Sequence, residues 1–338
     1  MARTFEIKSA KRAEVPILCG LFGASSSGKT WSALRIATGM QKVRGGKIVV
    51  IDTESRRALH YADSFAFEHM DFGAPFAPLD YLEAIKAAVS AGARVLVVDS
   101  ASHMHEGPGG LLSQHDEEVT RMAGNDWKKR ERVNMAGWIK PKREFQEFKN
   151  ELLQLNVAVV MCFRAKQKIK PVQGGQPKEL GWMPIISDEL TFEMTLNALL
   201  LPGSDGVPSW SPEEKESRER IKLPNQFREW FLRRKAGKPL DEDDGVMLAK
   251  WAAGESTEPE RKQPDPVAPV FRERIEWDGQ SEYGGKPLSS AGIDALTGYF
   301  DAVTAISKMT NLRPHVRDEI AQHLRDITAA IASKEPAT

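Results

Sequence analysis

Eight consecutive residues, Gly23-Ala24-Ser25-Ser26-Ser27-Gly28-Lys29-Thr30, have the spacing G-x-x-x-x-G-K-T. The two glycines let backbone N–H groups turn inward around an anion, and a helix starting here adds the partial positive charge of its N-terminus. A lysine and a hydroxyl stand where that helix begins, so the run is suited to a polyphosphate: Lys29 reaches the β and γ oxygens and Thr30 ligates magnesium. The expected ligand is ATP with Mg2+. The competing reading, a chance glycine–serine turn, is weakened by context, because the motif falls between an apolar run, Val15 to Phe22, and a helical pattern from Thr30 to Val43.

Three more charged residues follow apolar runs that read as strands. Asp99 closes Val95-Leu96-Val97-Val98, which sets its carboxylate at the sheet edge that carries the phosphate loop, where it can hold magnesium through water. Capping the next turn is its other possible role. Glu54 follows Ile48-Val49-Val50-Ile51-Asp52-Thr53 at the same edge. A carboxylate there can deprotonate an attacking water or stand as a solvated acid in a turn, and the residues alone leave both readings open. Arg164 ends the run Val157 to Phe163. If that strand lies between the phosphate-loop strand and the Asp99 strand, Arg164 or Lys166 faces the γ-phosphate, or a neighbouring subunit; a plain solvated charge is the alternative.

The elements that must position these groups alternate in type. Strands at Val15 to Phe22, Lys47 to Asp52, Arg94 to Asp99 and Val157 to Phe163 are separated by helical patterns, which predicts an α/β fold with a mostly parallel, right-handed central sheet. Asp80, with Glu83 three residues on, is the expected cap of the helix carrying Leu82, Ile85 and Val89. The stretch between Ser100 and Glu144 reads as long and irregular, and Thr191 to Leu201 as hairpin strands at the sheet edge. Asp241 to Ala253 reads as a terminal helix. These elements form a domain over residues 1–252. A linker rich in proline and charge spans 253–288, and a helical hairpin spans 289–334, with Leu296, Phe300, Val303 and Ile306 on one apolar face and Ile320, Leu324, Ile327 and Ile331 on the other.

The 338 residues are 41% apolar, enough for a sizeable core, and 47 basic residues balance 47 acidic ones. No global field favours nucleic acid or a membrane, so any such site must be a local patch. Cys19 and Cys162 both fall in buried strand patterns, as reduced core thiols do, and no leader or membrane-spanning run is apparent, so the expected compartment is the cytoplasm. His103, His105 and His115 lack the spacing of a metal site and read as loop residues. One local patch does stand out. Between Asp126 and Lys178, thirteen lysines and arginines face five acids, among them Lys128, Lys129, Arg130, Lys166, Lys168 and Lys170, with Trp127 and Trp138 interleaved. Basic charge with aromatic platforms suits single-stranded nucleic acid, whereas an ordinary solvated helix face with core tryptophans gives the same composition.

Taken together, the motif Gly23 to Thr30, the strand end Ile51-Asp52-Thr53-Glu54 and the strand end Val97-Val98-Asp99-Ser100 resemble the RecA-like P-loop ATPases, above all phage-encoded RecA-like proteins that act with single-strand annealing recombination systems. The resemblance covers roughly residues 15 to 200. It implies a RecA-like P-loop NTPase fold followed by a small helical C-terminal tail, Glu54 as general base, Asp99 as the Walker B aspartate, and DNA-binding loops at about Ser102 to Arg132 and Ala165 to Trp182. It also implies a homo-oligomer, ring or filament, that binds single-stranded DNA and works with a single-strand-binding or annealing protein, in the host cytoplasm if phage-encoded. Arg164 stands where RecA typically has glutamine, the first loop is longer than RecA's, and Met1 to Glu14 is too short and polar for RecA's N-terminal oligomerisation helix. Two other functions are compatible with the motif: a P-loop kinase phosphorylating a small acceptor, and a non-hydrolysing nucleotide switch or loader for a replication partner.

Overall fold

The computed structural model describes residues 12, 15–172, 176–255, 293–307 and 314–332. The chain divides into two compact units, Met1–Thr257 and Glu258–Thr338.

The first unit is built on the apolar strands that the sequence marks. β1 (Ile17–Gly23), β2 (Lys47–Asp52), β4 (Ala93–Asp99) and β5 (Ala158–Lys170) are joined by helices that return the chain to the starting edge, so their pairings are parallel. β3 (Glu68–Asp71) and β7 (Leu196–Leu200) extend the sheet to the order β3-β2-β4-β5-β1-β7, and β8 (Pro208–Ser209) closes the β7 edge antiparallel. β6 (Lys178–Pro184) pairs antiparallel with the outer part of β5. β5 therefore does lie between β1 and β4. Register sets Asp52 beside Asp99, Asp99 beside Cys162 and Gly23 beside Arg164, so the carboxyl ends of four strands meet at one edge.

Alternate side chains of each strand feed two cores. One lies between the sheet and the helices α2 (Pro78–Ser90) and α6 (Ile139–Leu152), with Tyr81, Ile85, Phe148 and Phe163 fully buried. On the other face α1 (Lys29–Arg44) and α10 (Glu242–Ala252) cover Cys19, Leu21, Val97 and Val160. Each such aliphatic side chain taken out of water contributes about 1.5–3 kcal/mol, which anchors the strands that carry the site. Cys19 and Cys162 are buried free thiols, and burial pushes both up.

Several local expectations change. α2 starts with Pro78 in its first turn after Ala77, so Asp80 sits inside that turn instead of capping it. The stretch read as irregular holds α3 (His103–Glu106), α4 (Leu111–Ala123) and α5 (Trp127–Val133), which puts His103, His105 and His115 on helices. α5 buries no residue at all; the Asp126 carboxylate accepts the Lys128 and Lys129 N–H groups and starts it, and an apolar period has nothing to report there. Thr191 to Leu201 contains the end of α7 (Asp188–Glu193) followed by β7, a buried strand parallel to β1 whose antiparallel edge partner is the two-residue β8. The short α8 (Lys215–Arg218) and α9 (Asn225–Glu229) lead to α10, whose Asp241–Asp244 capping box starts it where expected.

In the second unit, α11 (Ile293–Ser307) and α12 (Pro314–Ala332) pack together, burying Leu296, Val303, Ile320 and Ile327. Residues 256–288 of the expected linker, and residues 289–292, 308–313 and 333–334 of the expected helical hairpin, lie outside the described residues. No helix among the described residues is long and apolar enough to cross a membrane.

Candidate active site

The strand ends open into a cleft of about 520 Å3 whose walls include Lys29, Thr30, Glu54, Asp99 and Arg164. Its floor is the turn from β1 into α1. Gly28 has φ +87°, a left-handed conformation that suits glycine, and a Cβ on it would lie 2.9 Å from the Gly206 nitrogen. A Cβ on Gly23 would fall 2.2 Å from the Leu200 carbonyl oxygen of the neighbouring strand. Closeness thus requires glycine at both positions, and the left-handed turn requires it at Gly28 as well.

Lys29 Nζ bends back and donates to the carbonyl oxygens of Gly23, at 3.1 Å, and Ala24. Burial lowers its pKa, with the Arg164 charge acting the same way and Asp99 and Glu54 opposing. Thr30 Oγ1 donates to Asp99 Oδ2 at 2.5 Å. Asp99 is only 8% exposed, and burial pushes its carboxyl up to about 6; the negative Glu54 and Asp52 push the same way, against the Thr30 hydrogen bond and Lys29.

Burial also pushes the Glu54 carboxyl up, yet the two-pronged bond from Arg164, with Arg164, His103 and Arg57 as positive neighbours, holds it below the ordinary glutamate range. Arg164 donates Nε to Oε1 at 2.9 Å and Nη2 to Oε1 and Oε2, both at 2.7 Å. Glu54 is therefore ionised, and both of its oxygens are occupied. Behind it, Thr53 Oγ1 accepts the Ser100 N–H at 2.7 Å and meets His103 Nδ1 at 2.8 Å, while Tyr81 donates to the Ser100 carbonyl at 2.9 Å. This buried network ties the end of β2 to the end of β4.

A hydroxyl and a carboxylate in contact, with all-oxygen donors and an adjacent lysine, fit the set that Mg2+ and a phosphate would share, so Thr30 and Asp99 are the residues that would hold the metal. Among the described residues no group of three or more His, Cys, Asp or Glu could hold a metal ion without further ligands. The three histidines go separate ways: His103 to Thr53 and the Phe76 ring, His115 to the Asn134 carbonyl and the Trp138 ring, while His105 keeps a buried Nδ1 with no partner.

Sequence reasoning did not reach the wall formed by Arg57, His60 and Tyr61, which line the cleft from one turn of 3-10 helix directly after Glu54. Their i, i+3, i+4 spacing was the available signal. Nor did it reach Glu106, which lines the cleft and pairs with Lys166 at 3.0 Å.

The basic residues divide into two groups. Lys166 reaches the cleft wall, and Lys168 and Lys170 continue along the exposed outer part of β5 toward β6; residues 173–175 at the tip lie outside the described residues. Lys128, Lys129 and Arg130 stand on α5, apart from the cleft lining, and Arg130 is engaged by Asp116 at 2.6 Å. Trp127 is 68% exposed with Lys128 over its ring, whereas Trp138 is packed against the core, so only one of the two interleaved tryptophans is an open platform.

Residues 16–197, more than half of the chain, match the family described as the AAA domain. The chain belongs to the AAA domain family. Its mostly parallel sheet and phosphate loop make it an AAA-type P-loop ATPase domain with a RecA-like fold. Among solved structures it is similar to the "KaiC-like protein PH0186 from hyperthermophilic archaea Pyrococcus horikoshii OT3", with 16% identity, 47% of this chain and 72% of that chain covered, and a TM-score of 0.24. No curated protein matches the AAA domain chain in sequence.

Proposed function

We propose that this AAA domain protein is a single-stranded-DNA-dependent ATPase that works as a homo-oligomer in recombination or annealing. The observation that carries the reading is the course of β5. One continuous strand bears Arg164, which holds Glu54, and then Lys166, Lys168 and Lys170, which face outward. A polyanion on the outer strand and a γ-phosphate in the cleft would thus act on the same rod.

The chemistry follows from the side chains. Lys29 exchanges the Gly23 and Ala24 carbonyls for phosphate oxygens, and the N–H groups of the loop orient the phosphates. Thr30 and Asp99 would hold magnesium, which would supply positive charge to the phosphates. Arg164 turns from Glu54 toward the γ-phosphate, and the freed, ionised Glu54 accepts the proton of the attacking water. Hydrolysis removes the γ-phosphate, returns Arg164 to Glu54 and resets the affinity for DNA. The basic outer strand supports the DNA part of this reading because neutralising phosphates with lysines releases counterions.

The test is steady-state ATP hydrolysis with and without single-stranded DNA, with Lys29→Ala as the blank. Turnover stimulated tenfold or more by DNA is expected. Turnover indifferent to DNA would overturn the DNA-dependent part and direct attention to phosphoryl transfer to a small acceptor.

A further inference from the structure

Glu54 must be held at one place if it is to act on a water, yet it sits in a turn that its own residue types do not favour. Ser55 and Arg56, directly after it, have φ of 56° and 67°, the left-handed region that non-glycine residues avoid. Such a pair persists only where the surroundings over-determine it. The surroundings here centre on Asp52, which is 1% exposed and lies two residues before Glu54. Its Oδ1 accepts the Glu54 backbone N–H at 2.7 Å, and its Oδ2 accepts the Ala58 N–H at 2.9 Å and meets His69 Nε2 of β3 at 3.1 Å. One carboxylate thus fastens the start and the end of the turn. Asp71, also on β3, holds the Arg56 side chain at 2.6 Å.

We infer that Asp52 is the positioning residue of the reaction: its carboxylate, braced by His69, fixes the turn Glu54 to Ala58 so that the Glu54 side chain projects into the cleft at the reach of Arg164. Asp52 does not line the cleft. It acts through Glu54, and the inference rests on the hydrolytic reading above. A buried carboxylate is needed because two backbone N–H groups and an imidazole converge on it; an amide offers a single acceptor oxygen and would turn its NH2 toward a donor. The same turn carries Arg57, and the 3-10 helix it leads into carries His60 and Tyr61, to the cleft wall, so the anchor sets the start of that wall as well.

The experiment compares the wild-type full chain with Asp52→Asn, Asp52→Ala and Glu54→Gln, measuring kcat and KM for ATP together with amide hydrogen exchange. The expected result is graded. kcat falls about tenfold in Asp52→Asn and about a hundredfold in Asp52→Ala, the size expected of a displacement near 1 Å. KM for ATP stays within about twofold, and exchange accelerates at Glu54 and Ala58 but not in β2 or β4. Wild-type kcat in Asp52→Ala beside an inactive Glu54→Gln would overturn the inference. So would a parallel loss of ATP binding and of protection throughout β2 and β4, which would mark Asp52 as a fold residue only. If wild type and Glu54→Gln turn over ATP alike, the hydrolytic reading is what has failed, and exchange alone then decides the anchor: unchanged protection at Glu54 and Ala58 in Asp52→Ala overturns it, and acceleration confined to the turn upholds it.

Discussion

From Ala158 to Phe163, β5 runs parallel between β1 and β4, and no side chain there is more than 1% exposed. From Lys166 to Lys170 the same strand runs antiparallel beside β6 alone, and Ile169 is 65% exposed. The inner half takes its place from burial on both faces and hydrogen bonds on both edges. The outer half has one partner strand and a surface of lysines, which leaves it to be shaped by what it meets. Arg164 stands at the junction, so the residue that grips Glu54 is rooted in the most constrained part of the sheet and continuous with one of the least constrained.

The contrast is broken most strongly by truncating one side chain in each half. Phe163→Ala should cost about 3–5 kcal/mol of unfolding free energy in a denaturant titration, and Ile169→Ala less than about 0.5 kcal/mol. Equal losses would remove the distinction.

Asp99, paired in register with Cys162 of the inner half, gives the next effect. Its carboxyl is pushed up to about 6 from 3.8. A raised folded-state value means that the proton binds the folded chain more tightly, so this stabilising contribution is complete below the unfolded value near 3.8 and is lost as pH rises through about 6. In protein free of metal and nucleotide, Asp99→Asn should therefore be more stable than wild type at pH 7 to 8, by about 3 kcal/mol at most, with the difference shrinking toward pH 4. Thermal melts across that range check it; a variant that is less stable at pH 8 contradicts it.

The smallest effect belongs to the outer half. Lys168→Ala and Lys170→Ala together should leave the melting temperature within about a degree, while reducing the slope of log affinity for single-stranded DNA against log salt by about one per lysine removed. An unchanged slope would take DNA off this strand.

The same difference explains what could be read from the sequence. β1, β2, β4 and the inner half of β5 were legible because strands buried on both faces are continuous apolar runs, and the phosphate loop was legible because its geometry demands particular residue types at particular places. β3, Glu68-His69-Met70-Asp71, is a polar edge strand and has no such run. α5 buries no residue and shows no period. Among the candidate catalytic groups, Lys29 and Thr30 were found together in the phosphate loop and Glu54, Asp99 and Arg164 singly at strand ends; that Arg164 grips Glu54 with both prongs depends on β5 lying beside β4, which a linear pattern does not state. Asp52 was in plain view in Ile51-Asp52-Thr53-Glu54, but its use became visible only through the turn that returns Ala58 to it.

The measurement that tests the central claim most directly is ATP turnover by Glu54→Gln beside its affinity for ATP. Turnover at least a hundredfold below wild type with ATP binding retained is the expected result, since the glutamine keeps the shape of the side chain and loses the base. Turnover at the wild-type level would show that Glu54 does not activate the water, and the roles of Arg164 and Asp52 in the reaction would fall with it.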